Sequence, residues 1–239
     1  MHSIQVYLYD TYSFSDKGAI THSDRDGRGH FIVLNRTIFY PQGGGQPSDL
    51  GCISTANLKI PINSVRTNDS EIRHYTDKDY SDFIGKEVTL HIDKDRRILN
   101  SKLHTAGHLI SNLIESRYPF CTAVKGHHFP GESYVEFRTQ PSDAVRQLDL
   151  LVLNNKLQEL IAQNFAVTNE YITYDEIASK CPNLPYAIPQ KQLIRLVKIG
   201  LFNYQPCGGT HIQSLSELKG LQITKQKEKS DSIKIHYSI

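Results

Sequence analysis

At 239 residues and 38% hydrophobic content, the chain can bury one large core or two small ones, which excludes a disordered polymer. Its 27 basic and 25 acidic residues nearly cancel, so charge neither demands nor excludes a nucleic acid. An RNA would need only a local basic patch, to which Lys219, Lys225, Lys227, Lys229 and Lys234 can contribute unless they simply form a solvated strand face. No run approaches the ~18 apolar residues of a membrane span, no apolar N-terminal run reads as a signal peptide, and the cysteines at 52, 121, 181 and 207 lack disulfide-framework spacing. The expectation is a soluble, reduced, cytoplasmic protein with Cys52, Cys121 and Cys181 as small buried residues or bystanders.

Residues 1–92 read as β structure, a small barrel-like domain or a sandwich. The runs 4–9, 31–34, 37–40, 58–65 and 88–92 are apolar, β-branched or aromatic, and residues 21–30 form a polar turn rich in Asp, Arg and Gly. Within this region Phe39-Tyr40-Pro41-Gln42-Gly43-Gly44-Gly45-Gln46-Pro47 sets three consecutive glycines between prolines. Such a loop exposes backbone amides, and Gly43, Gly44, Gly45 and Gln46 are candidates to approach a phosphate or an RNA 3′ end. The alternative is a flexible connection between strands. No GxxxxGK[ST] or GxGxxG is present, so the usual nucleotide loops are not indicated.

Residues 93–239 read as a second, α+β domain, two-layered with an antiparallel sheet. From Asp93 to Arg117 there is no Pro and a single Gly; Asp93 or Asp95 offers an N-cap oxygen and Pro119 ends the pattern. Leu99, Leu103, Ala106, Ile110 and Leu113 form one apolar stripe of this helix, and His104 and His108 lie roughly opposite it. Two His at i and i+4 share a face and can converge on one ion.

Residues 124–137 look like a hairpin, on which His127 and His128 could lie near the cleft, although adjacent His on a loop are most often solvent-exposed. A second long helix is expected over 142–164, with Val145, Leu148, Leu151, Val152, Leu157, Leu160 and Ile161 in the core. A strand at 165–173, a short helix at 174–180, an irregular stretch around Pro182, Pro185 and Pro189, a strand at 193–199 and a hairpin of 221–225 with 232–237 follow. Between them, Pro206 and Cys207-Gly208-Gly209-Thr210-His211 form a turn in which the glycines let a thiolate and an imidazole reach one point. His104, His108, Cys207 and His211 together make a tetrahedral set suited to Zn²⁺. The competing explanations are a polar His pair on a solvated face and an unremarkable Gly turn.

Three motifs in this order, FYPQGGGQP at 39–47, HxxxH at 104–108 and CGGTH at 207–211, closely resemble the editing domain of alanyl-tRNA synthetase and, more specifically, its freestanding relatives, the AlaX family. The editing domain of threonyl-tRNA synthetase is similar in the two metal motifs, but the Gly-rich stretch favours the alanyl side. The resemblance spans nearly the whole chain, leaves no room for an aminoacylation core, and implies a trans-acting hydrolase of the longer AlaX type. It implies zinc on His104, His108, Cys207 and His211, and removal of serine, in some members glycine, from alanine tRNA. One departure is Gly107, where the family often has a larger residue; it is expected to enlarge the space between the two His.

The expected reaction is hydrolysis of an activated ester, which needs a positioned water and charge stabilisation. Backbone amides of Gly208 and Gly209 are candidates to hold an oxyanion, and the hydroxyls of Thr105 and Thr210 to contact a serine side chain or orient water, the alternative being local hydrogen bonds. Four protein ligands fill a tetrahedral shell, as in structural zinc, so a non-catalytic tRNA-binding module remains the rival class. No HExxH glutamate lies between the histidines, which argues against a peptidase.

Overall fold

The computed structural model describes residues 3–139, 148–182, 184–185, 187–188, 190, 193–229 and 231–239. The chain is α+β with antiparallel sheets and divides into two compact units, Met1–Ser101 and Lys102–Ile239.

The first unit contains β1 (Ile4–Gln5), β2 (Ser15–Asp26), β3 (Gly29–Leu34), β4 (Arg36–Thr37), β5 (Gly51–Ser54), β6 (Lys59–Ile62), β7 (Ser64–Asn68), β8 (Glu71–Tyr75) and β9 (Glu87–Ile92). Seven of these form one sheet in the order β6-β5-β9-β2-β3-β8-β7. The sheet of this barrel-like reading is not closed: β6 and β7 are the two edges and do not pair. Only Asn63 separates them in sequence, which brings the edges together at one end. A bulge between Ile20 and His22 lets β2 serve both halves, its first part pairing with β9 and its second with β3. Inward residues such as Ile20, Ile32, Leu34, Ile53, Ile60 and Leu90 fill the core.

Three expectations change here. Residues 4–9 are a strand only over Ile4–Gln5; a 3₁₀ turn follows at Val6–Leu8, closed by the amides of Tyr9 and Asp10 on the Val6 carbonyl. The polar stretch 21–30 is mostly strand, with Asp26 paired to Gly29 across a two-residue loop. Its polar residues stand on the solvent side of an antiparallel pair, where composition mimics a turn. The run 58–65 breaks at Asn63 into β6 and β7.

Helix α1 (Lys94–Arg117) begins in the first unit and continues into the second. The second unit then contains β10 (Cys121–His127), β11 (Tyr134–Thr139), α2 (Leu150–Ala162), β12 (Val167–Ile172), α3 (Ile177–Lys180), β13 (Ile194–Ile199), β14 (Gln205–Pro206), β15 (Gln222–Glu228) and β16 (Ser232–Ser238). The sheet β10-β11-β16-β15 shares one core with the helices: Leu103, Leu109 and Leu113 of α1 and Leu153 and Leu157 of α2 meet Val135, Phe137, Ile233 and Ile235. A second sheet, β12-β13-β14, carries the chain into the Cys207 turn.

Asp93 caps α1, its carboxylate accepting from the Arg96 amide at 3.0 Å. The second helix starts later than expected, at Leu150, because Asp149 is its N-cap and accepts from the Val152 amide. Val145 lies outside the described residues, as does Pro189. Leu151 and Leu99, expected in the core, are 71% and 37% exposed; Leu151 stands about half a turn round from the buried Leu153, whereas Leu99 keeps the phase of Leu103 and lies just before the buried stretch that begins at Asn100.

Candidate metal centre

Helix α1 is buried on nearly every side from Asn100 to Ile114, and His104 is 2% exposed. His104, His108, Cys207 and His211 come together with one donor atom from each, all within 4.8 Å of one another. The Cys207 Sγ lies 3.4 Å from His104 Nε2 and 3.3 Å from His211 Nε2. The edge of a tetrahedron with zinc–nitrogen arms of ~2.0 Å and a zinc–sulfur arm of ~2.3 Å is about 3.5 Å, so the donor set fits that ion. Burial pushes the His108 imidazole down to about 4, and holds His104 and His211 well below the ordinary range, with the neighbouring rings and Arg195 adding to the effect. Neutral imidazoles are the form a metal takes. Nδ1 of His108 is buried without a hydrogen-bond partner, an orphaned donor atom of the kind an ion satisfies.

The supports of the cluster assign roles to several expected residues. Thr105 Oγ1 lies 3.0 Å from His211 Nδ1 and accepts the Ile212 amide at 3.3 Å. His211 Nε2 faces Cys207 Sγ, and an ion held at Nε2 would leave the hydrogen on Nδ1, to be donated to that hydroxyl. Thr105 therefore acts through His211. The Gly209 amide donates to Cys207 Sγ at 3.3 Å, so it serves the sulfur rather than an oxyanion. Gly208 is exposed, and a Cβ built there meets nothing within 4 Å. Thr210 is fully buried. Burial raises the Cys207 thiol, while the Gly209 amide and Arg195 pull against it.

Arg195 on β13 went unmarked as a site residue within an apolar strand run. Its Nη1 donates to the Cys207 and Gly209 carbonyls at 2.8 and 3.0 Å, and its own carbonyl accepts the Cys207 amide. The guanidinium thus fixes the first half of the ligand turn, from Cys207 to Gly209. The signal available in the sequence was a lone Arg between Ile194 and Leu196.

The two adjacent histidines part company. His127 stays half-buried beside the Phe129 ring, at 4.4 Å and 6°. His128, expected in solvent, is 4% exposed; its ring stacks on His104 at 4.6 Å and 23°, and its Nδ1 lies 2.5 Å from the Tyr237 hydroxyl. Burial drives its imidazole down to about 3. The room left by Gly107 is filled by this ring: a Cβ on Gly107 would stand 2.3 Å from His128 Cε1. The enlarged space expected between His104 and His108 is therefore not open.

The Gly-rich stretch lies in the first unit. Gly43 and Gln46 exchange backbone hydrogen bonds, with Gly44 and Gly45 at φ of 53° and 77° between them. This is a tight turn needing left-handed residues at both central positions. The amides of Gly43 and Gln46 are spent within it; those of Gly44 and Gly45 fall outside that pairing. The Gln46 side chain is fully buried. Asp49 holds the stretch in place: it accepts from the Tyr40 amide at 2.7 Å and pairs with Arg97, and both charged side chains are fully buried. Arg97 also donates to the Thr11 and Ile38 carbonyls.

Residues 7–96 match the family described as tRNA synthetases class II (A), and residues 194–234 match the threonyl and alanyl tRNA synthetase second additional domain. The second match contains the Cys207–His211 turn, and the two together define a protein built from tRNA-synthetase-type modules. The chain is 30% identical to the alanyl-tRNA editing protein AlaX-M of Methanosarcina barkeri over 95% of its own length and 94% of that protein. Against AlaX-M of Methanosarcina mazei it is 31% identical, covering 92% of that protein. With the alanine–tRNA ligase of Methanobrevibacter smithii it shares 29% identity, spanning 24% of that longer chain. The chain belongs to the AlaX family of alanyl-tRNA editing proteins.

Proposed function

We propose that this chain is a trans-acting aminoacyl-tRNA deacylase of the cytoplasm, which hydrolyses the ester joining serine, and glycine, to alanine tRNA at a zinc-containing centre. The observation that carries this reading is the convergence of three imidazoles and a thiolate within 4.8 Å in a chain similar to AlaX-M proteins over nearly its whole length. When bound, zinc would polarise an ester carbonyl or lower the pKa of a water. The chain's own residues hold the donors: Thr105 sets the His211 tautomer, Arg195 pins the ligand turn, and the Gly209 amide steadies the sulfur. Gly208 supplies exposed backbone beside the cluster with room for an acyl group. Thr210, next to His211 in the ligand turn, is the residue proposed to meet the serine hydroxyl. Alanine would leave that contact unpaired, which is the physical basis for sparing the correct product. No nucleotide is required, since the ester is already activated.

The RNA partner is supported by the outer face of the sheet β10-β11-β16-β15, where Lys125, Arg138, Lys225, Lys227 and Lys234 stand with Glu136 as the acidic residue among them. Gly43, Gly44 and Gly45 at the turn's accessible tip are proposed as further RNA contacts, with the amides of Gly44 and Gly45 outside the turn's own pairing, while the buried Gln46 closes the turn behind them. The four-donor count favours one rival, a zinc-stabilised tRNA-binding module without catalysis.

The test is release of serine from serine-charged alanine tRNA, with alanine-charged tRNA as control and threonine tRNA as a second substrate. Serine release with alanine spared supports the reading. Zinc-loaded, folded protein that releases nothing from any of these would establish the binding module. Loss of serine preference in Thr210→Val, with Thr105→Val impaired for both esters, would fit the assigned roles.

A further inference from the structure

A glycine inside a long helix costs ~1 kcal/mol against alanine, so Gly107 in α1 asks for a reason. The reason is on the opposite wall. Gly126 of β10 also lacks a side chain, and a Cβ there would stand 2.4 Å from His128 Nε2. The imidazole of His128 thus occupies a socket made by two glycines, one on the ligand helix and one on the facing strand. One ring face lies against His104, and Nδ1 meets the Tyr237 hydroxyl. That hydroxyl donates its only proton to the Leu103 carbonyl at 2.9 Å. The carbonyl can only accept, so Nδ1 carries the hydrogen and donates to the phenol oxygen. The chain Leu103–Tyr237–His128 therefore begins one residue before His104 on α1 and returns to the His104 ring.

We infer that His128 is a positioning residue for the metal centre: seated between Gly107 and Gly126 and fixed by Tyr237, its ring holds the His104 imidazole in the rotamer that meets Cys207. His128 is not a member of the four-donor set. The inference rests on the metal reading above but not on the identity of the substrate. It also explains how this chain accommodates a glycine at 107, since the ring supplies the volume a side chain would otherwise fill.

The experiment measures Zn²⁺ affinity by chelator competition, and the visible absorption of the Co²⁺-substituted protein, for the full chain and its His128→Ala, His128→Phe, Tyr237→Phe, Gly107→Ala and Gly107→Ala/His128→Ala variants. Loss of an outer support of a ligand typically weakens metal binding 10–100-fold, and His128→Ala is expected in that range with an altered Co²⁺ spectrum. His128→Phe and Tyr237→Phe keep the ring volume but lose the hydrogen bond, and should shift affinity less. Gly107→Ala should weaken binding by expelling the ring, and the double variant should bind no worse than His128→Ala alone. Wild-type affinity and spectrum in folded His128→Ala would overturn the inference, as would strictly additive losses in the double variant. If His128→Ala fails to fold, unchanged affinity and spectrum in both His128→Phe and Tyr237→Phe overturn it. A wild-type chain that binds no Zn²⁺ would instead defeat the metal reading itself.

Discussion

The molecule uses two glycine-rich turns, and they do opposite things. In the turn Gly43–Gln46 the glycines are there for handedness: Gly44 and Gly45 have positive φ, and the backbone closes on itself. In the turn Cys207–His211 neither glycine has positive φ among the described backbone. There Gly209 offers an amide to sulfur and Gly208 leaves open space. The first turn is held by a buried ion pair and the second by a buried guanidinium donating to carbonyls. Composition made the two look alike; the backbone torsions and the partners of each amide separate them.

The largest effect is expected at the support of the first turn. Asp49→Ala strands the fully buried Arg97 charge, and removing one partner of a buried pair typically costs 3–5 kcal/mol. Urea unfolding should show a loss of that order, whereas Asp49→Leu combined with Arg97→Met should recover most of it. On the zinc reading proposed above, the second turn depends on its ligand instead. With free Zn²⁺ at 1,000 times its dissociation constant, binding adds about 4 kcal/mol to unfolding. Chelation should lower the melting temperature accordingly, and Cys207→Ala should melt at one temperature with or without Zn²⁺.

A third expectation concerns pH. His74, fully buried behind Phe39, donates Nδ1–H to the Ile32 carbonyl and accepts from the Thr37 hydroxyl at Nε2, with burial lowering it to about 4. Because the folded form stays neutral, the unfolded chain takes the proton first as pH falls below ~6.5. Stability is full above that value and is lost between pH ~6.5 and 4, by about 3 kcal/mol in total. In His74→Gln the fall in unfolding free energy from pH 7 to pH 4.5, measured on metal-free protein, should shrink by about 2–3 kcal/mol; an unchanged slope would remove His74 as the cause.

Helix α1 was legible in the sequence because its signals are local: the Asp93 cap, the Pro119 stop, and a His pair whose spacing alone sets its face. The convergence of His104, His108, Cys207 and His211 was legible because metal chemistry restricts the residue types that are worth pairing. What stayed hidden depends on tertiary approach. His128 differs from His127 only in which way its position faces, and nothing in the neighbouring residues states that Gly107, some twenty residues away, makes room for it. Leu151 reads inward by composition, although the phase of the buried Leu153 turns it out; Leu99 shares the phase of the buried Leu103, and its exposure follows from its place ahead of the buried stretch from Asn100 to Ile114. The barrel-like reading rests on a series of short strands, but closure depends on pairing of β6 with β7, which no local feature encodes.

The smaller predictions return to the two turns. Gly45→Ala forces an L-residue to φ 77°, which costs of order 1–3 kcal/mol where the surroundings hold the conformation. Gly208→Ala meets open space and has no positive φ, so its unfolding free energy should stay within ~0.5 kcal/mol of wild type, with unchanged Zn²⁺ binding. Its deacylation rate is the sharper readout. If the exposed backbone at Gly208 is where the ester sits, a methyl group there should slow hydrolysis while stability and metal content stay put. If hydrolysis is also unchanged, the space beside Gly208 is bystander surface, and the acyl group must approach the cluster from another side.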